Sequence, residues 1–115
     1  MGDPDPTDVL DVVGDDHARE ILAHASREAM SVEELSDACD TSERTVYRRL
    51  ERLETLEWIE EHVEIDPDGH HRSVYETALK TVVVELDDGE YDVRIELRED
   101  AADRFAHIWR DMRDK

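Results

Sequence analysis

Cysteine occurs once in this chain, at position 39, so no intrachain disulfide and no multi-thiolate metal site can form. Lysine is nearly absent: Lys80 and Lys115 are the only two, and the other 12 of the 14 basic residues are arginine. No apolar run approaches the roughly 20 residues that a membrane helix needs. The opening "MGDPDPTD" has neither the basic nor the apolar region of a signal peptide. A glycine-rich phosphate loop, a nucleophile elbow and a close grouping of His, Ser and Asp are all missing, which disfavours an enzyme. Adjacent acids are frequent, but their density makes that a matter of chance. The expectation is a soluble cytoplasmic protein that is not an enzyme and holds neither cofactor nor metal.

What the chain has in excess is carboxylate. Its 115 residues carry 33 acids against 14 bases, a formal charge of −19. Such charge at low hydrophobicity can mean disorder. Here the apolar residues fall into periodic blocks, which points to one folded domain with a modest core. A dense acidic surface holds hydrated cations and resists precipitation where electrostatic screening is very short-ranged. With scarce lysine and few aromatics, the composition resembles that of proteins from extremely halophilic archaea. Bound salt cations are then expected partners, and the acidity says little about macromolecular ones.

Residues 1–6 read as a disordered lead containing Gly2, Pro4 and Pro6. A first helix is expected over Thr7–Val13, with Val9, Leu10 and Val13 on one side and Gly14 as its stop. A second follows the N-cap Asp15 and sets Ala18, Ile21, Leu22 and Ala25 at helical spacing. Ser31 and Glu34 have capping-box spacing, and Leu35 and Ala38 continue a buried side. After the turn Asp40-Thr41-Ser42, a helix capped by Ser42 holds Val46, Leu50 and Leu53 within an arc of roughly 60°.

Beyond Leu56 the period becomes two. Ile59, Val63 and Ile65 alternate with acids, although Glu61 falls on the apolar side. "DPDGHH" is a turn and "RSVYET" a returning strand. A second hairpin joins "TVVVEL" to "YDVRIEL" through a tight turn at Asp88-Gly89, with Tyr91, Val93, Ile95 and Leu97 on one face. A final helix from about Asp100 spaces Ala102, Phe105, Trp109 and Met112 three and four residues apart.

The most informative stretch is "TSERTVYRRLERL", which gathers Arg44, Arg48, Arg49 and Arg52 against only Glu43 and Glu51. Opposite its apolar stripe project Arg44, Arg48 and Arg52, with Thr45 and Tyr47 beside them and Arg49 at the flank. A helix fits the major groove, where the arginine fork can grip guanine O6 and N7 or a phosphate. Helix, three-residue turn, second helix and hairpin make the layout of a winged helix-turn-helix. The plainer account is a solvated helix in which Arg48 pairs with Glu51 and Arg44 with Asp40. Arg52 has no acid three or four positions away.

From "DDHAREILAHA" through "MSVEELSDACDTSERTVYRRLERLETLEWIEE" and the hairpin, about residues 8–78, the chain resembles the ArsR-type winged-helix transcription regulators, the compact halophilic archaeal kind above all. The resemblance implies that the helix at 42–55 reads DNA, that the hairpin near 66–73 is the wing, and that terminal helices build a homodimer. Its departure is Glu57, where such proteins often carry a helix-ending glycine. The cysteine pair with which many members sense metals is absent from "ELSDACD". A second family site would fall on Asp103, His107 and Asp111, for which exposed polar residues on an amphipathic helix are the plainer account. Cys39 reads as a small buried apolar residue.

These readings combine into an α+β winged helix-turn-helix with a small antiparallel sheet of two hairpins and a C-terminal dimerisation helix. Residues 7–80 are the DNA-binding domain; 81–115, part of the same compact domain, serve dimerisation. Expected groove contacts on double-stranded DNA are Arg44, Thr45, Tyr47, Arg48 and Arg52. Expected phosphate contacts are Arg49, His70, His71 and Arg72, although solvated turn residues also describe the two histidines. The expected homodimer interface is Val9, Leu10, Phe105, Trp109 and Met112. A winged-helix protein-interaction module without DNA contact is the alternative.

Overall fold

The computed structural model describes residues 4–98, as four helices followed by two antiparallel hairpins. α1 spans Pro6–Val13, one residue earlier than expected, because Asp5 caps it through the Thr7 amide and Pro6 fills the first turn. α2 (Asp16–Arg27) starts where the Asp15 carboxylate takes the Ala18 amide at 2.7 Å. α3 (Val32–Ala38) opens with the full capping box: Glu34 N donates to Ser31 Oγ, and Ser31 N to the Glu34 carboxylate. α4 (Glu43–Thr55) is capped by Ser42.

The turn between α3 and α4 is a Schellman closure. Thr41 N reaches Ser36 O, Asp40 N reaches Asp37 O, and Asp40 takes the left-handed conformation at φ 50°. α4 ends by the same device. Trp58 N donates to Leu53 O and Glu57 N to Glu54 O, with Glu57 at φ 64°. The helix-ending geometry survives without glycine, at a cost of about 1–2 kcal/mol for a side chain in that region.

β1 (Ile59–Ile65) pairs with β2 (His71–Thr77) to form the wing. β2 also bridges Met30, just before α3, through Met30 N to Tyr75 O and Tyr75 N to Met30 O. β3 (Leu79–Asp87) pairs with β4 (Glu90–Leu97) around the Asp88-Gly89 turn, whose φ values of 52° and 80° suit a type I′ hairpin. The hairpins form two separate sheets rather than one. Ala78 alone separates them, and the amides of Ala78 and Leu79 both donate to the Trp58 carbonyl.

The core draws Val9 and Val12 from α1, Ile21 and Ala25 from α2, Leu35 from α3 and Val46, Leu50 and Leu53 from α4. Trp58, Ile59, Tyr75 and Val93 close it from the sheet side. Three expectations change here. Val9, assigned to a dimer interface, is fully buried within its own chain, while Leu10 remains half-exposed. Ala38 is exposed and Cys39 takes the buried position, because Cys39, one α-turn past Leu35 with its amide on the Leu35 carbonyl at 2.9 Å, falls on the Val32 side of the helix and Ala38 on the other. Val63 and Ile65 are 64% and 62% exposed, since the wing runs past the core that receives Ile59.

On the second hairpin only the stem face is covered: Val93 is buried and Ile95 half-buried, whereas Leu86 and Tyr91 near the turn are exposed. The segment carrying Phe105, Trp109 and Met112, and with it Asp103, His107 and Asp111, lies outside the described residues.

Candidate nucleic-acid interface

α4 is seated by its own periodicity. Val46, Leu50 and Leu53 point into the core, so residues at 44, 48 and 52 must face out, across an arc of about 80° at 100° per residue. Arg44, Arg48 and Arg52 are all exposed, and so is Tyr47 at 57%. Among the described residues none of these arginines forms an ion pair. The pairings of Arg48 with Glu51 and of Arg44 with Asp40 therefore do not occur. By contrast Arg19, Arg49, Arg72, Arg94 and Lys80 each hold a carboxylate. Thr45 is half-buried, and its hydroxyl accepts from Ser42 Oγ at 3.0 Å as part of the cap.

Arg49, expected at the DNA backbone, is engaged inside the protein. Its Nε and Nη2 donate to the two oxygens of Asp15 at 2.7 and 3.2 Å. The planar fork and the carboxylate meet in the bidentate geometry that makes such pairs strong. The Arg49 guanidinium, the largest cause, holds the Asp15 carboxyl below its ordinary range; partial burial opposes this, and the Ala18 amide adds to it. Asp15 thus caps α2 and anchors α4 together. A shallow groove of about 340 Å³, lined by Asp15, Arg48, Arg49, Glu51 and Arg52, runs beside this clamp.

The wing candidates are less free than α4. Arg72 Nε and Nη2 donate to Glu64 Oε1 at 3.0 and 2.9 Å, across the strand pair, and Nη1 lies 3.5 Å from Glu34. Glu34 is the capping-box acid of α3, so Arg72 ties the wing to the first helix of the turn. The Ser31 amide and, behind it, Arg72 hold the Glu34 carboxyl below the usual range, against the effect of burial. His70 sits 3.3 Å from Asp66, while His71 is exposed.

The structure brings Arg44, Tyr47, Arg48 and Arg52 onto one surface and sets the wing residues apart from them on a second element. Sequence reasoning missed the partnership of Asp15 with Arg49, which are 34 positions apart and linked by no periodic signal. Burial and, secondarily, Glu20 push the Cys39 thiol up, which keeps it protonated.

The family model described as a helix-turn-helix domain matches residues 13–56, from the end of α1 to the cap of α4. No curated protein matches the chain. The helix-turn-helix is a DNA-binding motif whose second helix enters the major groove. In the matched segment the second helix of the motif, by its place after the α3–α4 turn, is α4. The four helices and two hairpins give an α+β, winged-helix layout around it, and no described helix is long and apolar enough to cross a membrane.

Proposed function

We propose that this chain is a sequence-specific transcription regulator of the ArsR type, binding double-stranded DNA as a homodimer with α4 in the major groove. Arg44, Thr45, Tyr47, Arg48 and Arg52 contact the groove. His70, His71 and Arg72 meet the backbone from the wing, and Arg49 holds α4 in place through its clamp on Asp15. One observation carries the reading. In a chain of net charge −19, the outer face of α4 keeps three arginines without a carboxylate partner among the described residues. A protein-interaction module on the same scaffold gives no reason to leave that face unneutralised.

In this reading residues 7–80 are the DNA-binding unit, and 81–115 dimerise through Phe105, Trp109 and Met112 together with Leu10. The acid surface holds salt cations of the kind a halophile's cytoplasm supplies. The test is Arg44→Ala with Arg48→Ala in a gel-shift assay on a genomically selected site. Each lost bidentate base contact costs about 1–3 kcal/mol, a weakening of roughly 5- to 150-fold. Unchanged affinity with an intact circular dichroism spectrum would remove the DNA-reader assignment.

A further inference from the structure

The outer face of the wing stem holds a second arrangement of chemistry, away from the arginine face. Glu60 and Glu76 are direct cross-strand partners on β1 and β2, and His62, two residues along β1, shares their face. His62 Nε2 lies 3.3 Å from Glu76 Oε1 and 3.7 Å from Glu60 Oε2. That nitrogen has no access to solvent and makes no hydrogen bond, although 36% of the side chain is exposed. All three residues are half-buried, and their donor atoms lie within 4.8 Å of one another.

A zinc ion at about 2.0–2.1 Å from a histidine nitrogen and from carboxylate oxygens leaves neighbouring tetrahedral donors roughly 3.3–3.5 Å apart. The distances at His62 need only a few tenths of an ångström of adjustment to reach this. One imidazole with two carboxylates suits a first-row divalent ion better than calcium or magnesium, which take all-oxygen shells. The other acid-histidine grouping, Asp66, Asp68 and His70, does not compare. Asp68 and His70 are exposed, so no half-buried set of three donors forms there.

We propose that Glu60, His62 and Glu76 bind one divalent transition-metal ion of the zinc type, through His62 Nε2 and one oxygen from each glutamate. The neutral imidazole carries its proton on Nδ1, and a fourth position is left to solvent. The ion joins β1 to β2 in mid-stem. The proposal goes beyond the DNA reading, and its test uses no DNA, so either can fail alone.

The full chain is titrated with zinc chloride by calorimetry in molar potassium chloride with excess magnesium, which saturates non-specific carboxylate binding. One zinc per chain is expected. Affinity should fall at least 30-fold in His62→Gln and in Glu76→Gln, and stay unchanged in Glu90→Gln. In parallel, nitrogen NMR of the unmodified chain should show the His62 Nε2 resonance moving to a metal-bound position at one equivalent. That measurement decides the matter even where a variant fails to fold. Equal zinc binding by His62→Gln, or a His62 resonance that stays put or reports only a protonated ring paired with the glutamates, overturns the site.

Discussion

Replacing Asp15 tests how α4 is held. The residue makes two separable interactions: it caps α2 through the Ala18 amide at 2.7 Å and clamps Arg49 of α4. Losing a helix N-cap to alanine costs about 1 kcal/mol, within a range of 0.5–2. The ion pair has side chains 27% and 24% exposed, so it lies between exposed pairs, worth about 0.2–1 kcal/mol, and buried ones, whose breaking costs about 3–5. Roughly 1–2 kcal/mol is the working value. Asp15→Ala should then destabilise by about 2–3 kcal/mol, and Asp15→Asn, which retains a good cap, by only about 1–2.

For a domain near 100 residues each kcal/mol moves Tm by about 4–8 °C, so thermal denaturation followed by circular dichroism resolves the two. The difference between wild type and Asp15→Asn also has a pH signature. Arg49 lowers the folded-state pKa of Asp15 below its unfolded value. Its stabilisation is therefore fully present above the unfolded pKa, near 4, and disappears as the pH falls through the folded one. Two results would refute the reasoning: equal losses in the asparagine and alanine variants, or a wild-type advantage over Asp15→Asn that persists unchanged to pH 2.

Glu57→Gly should stabilise by about 1 kcal/mol and raise Tm by a few degrees, because glycine occupies φ 64° without the steric cost a side chain meets; a lower Tm would show that Glu57 contributes something the Schellman closure does not explain. Phe105→Asp with Trp109→Asp should give monomers by light scattering and abolish binding to a two-half-site operator, and an unmodified protein already monomeric at micromolar concentration contradicts this. DNA affinity should fall only weakly with potassium chloride, or even rise, because a dimer doubles the chain's −19 and must draw cations into the interface. A conventional binder loses affinity with a log–log slope of about −0.9 per neutralised phosphate; a steep slope here, unaltered by Glu43→Gln with Glu51→Gln, would leave the acid surface no part in binding.

The helices were legible because each announces its own ends. Asp15, Ser31 with Glu34, and Ser42 are local caps, and the apolar positions 46, 50 and 53 fix which side of α4 faces out. The Asp88-Gly89 turn is equally local. Legibility failed where the answer depends on what lies across space. Nothing in the alternation of Ile59, Val63 and Ile65 says that the core ends after the first of them. Ala38 and Cys39 both lie within about 60° of Leu35 at 100° per residue, and only packing shows that Cys39, on the Val32 side, is the one covered. Arg49 reads like its neighbours Arg48 and Arg52 until Asp15 is brought alongside. Val9 has the apolar character of an interface residue, and only packing distinguishes a chain's own core from a partner's surface.

The single residue Ala78 between the two hairpins has a mechanical consequence. Because Ala78 and Leu79 both hang from the Trp58 carbonyl, β2 and β3 leave the core as two arms on one pivot. At about 3.3–3.4 Å per residue, the wing arm is roughly 24 Å long and the second hairpin roughly 30 Å. A rotation of about 5° at the pivot displaces the wing tip by roughly 2 Å, more than the tolerance of a hydrogen bond to a phosphate. The Met30–Tyr75 bridge and the Arg72–Glu34 pair oppose that rotation, so these two contacts to the α3 side, rather than the pivot, fix where the wing tip stands.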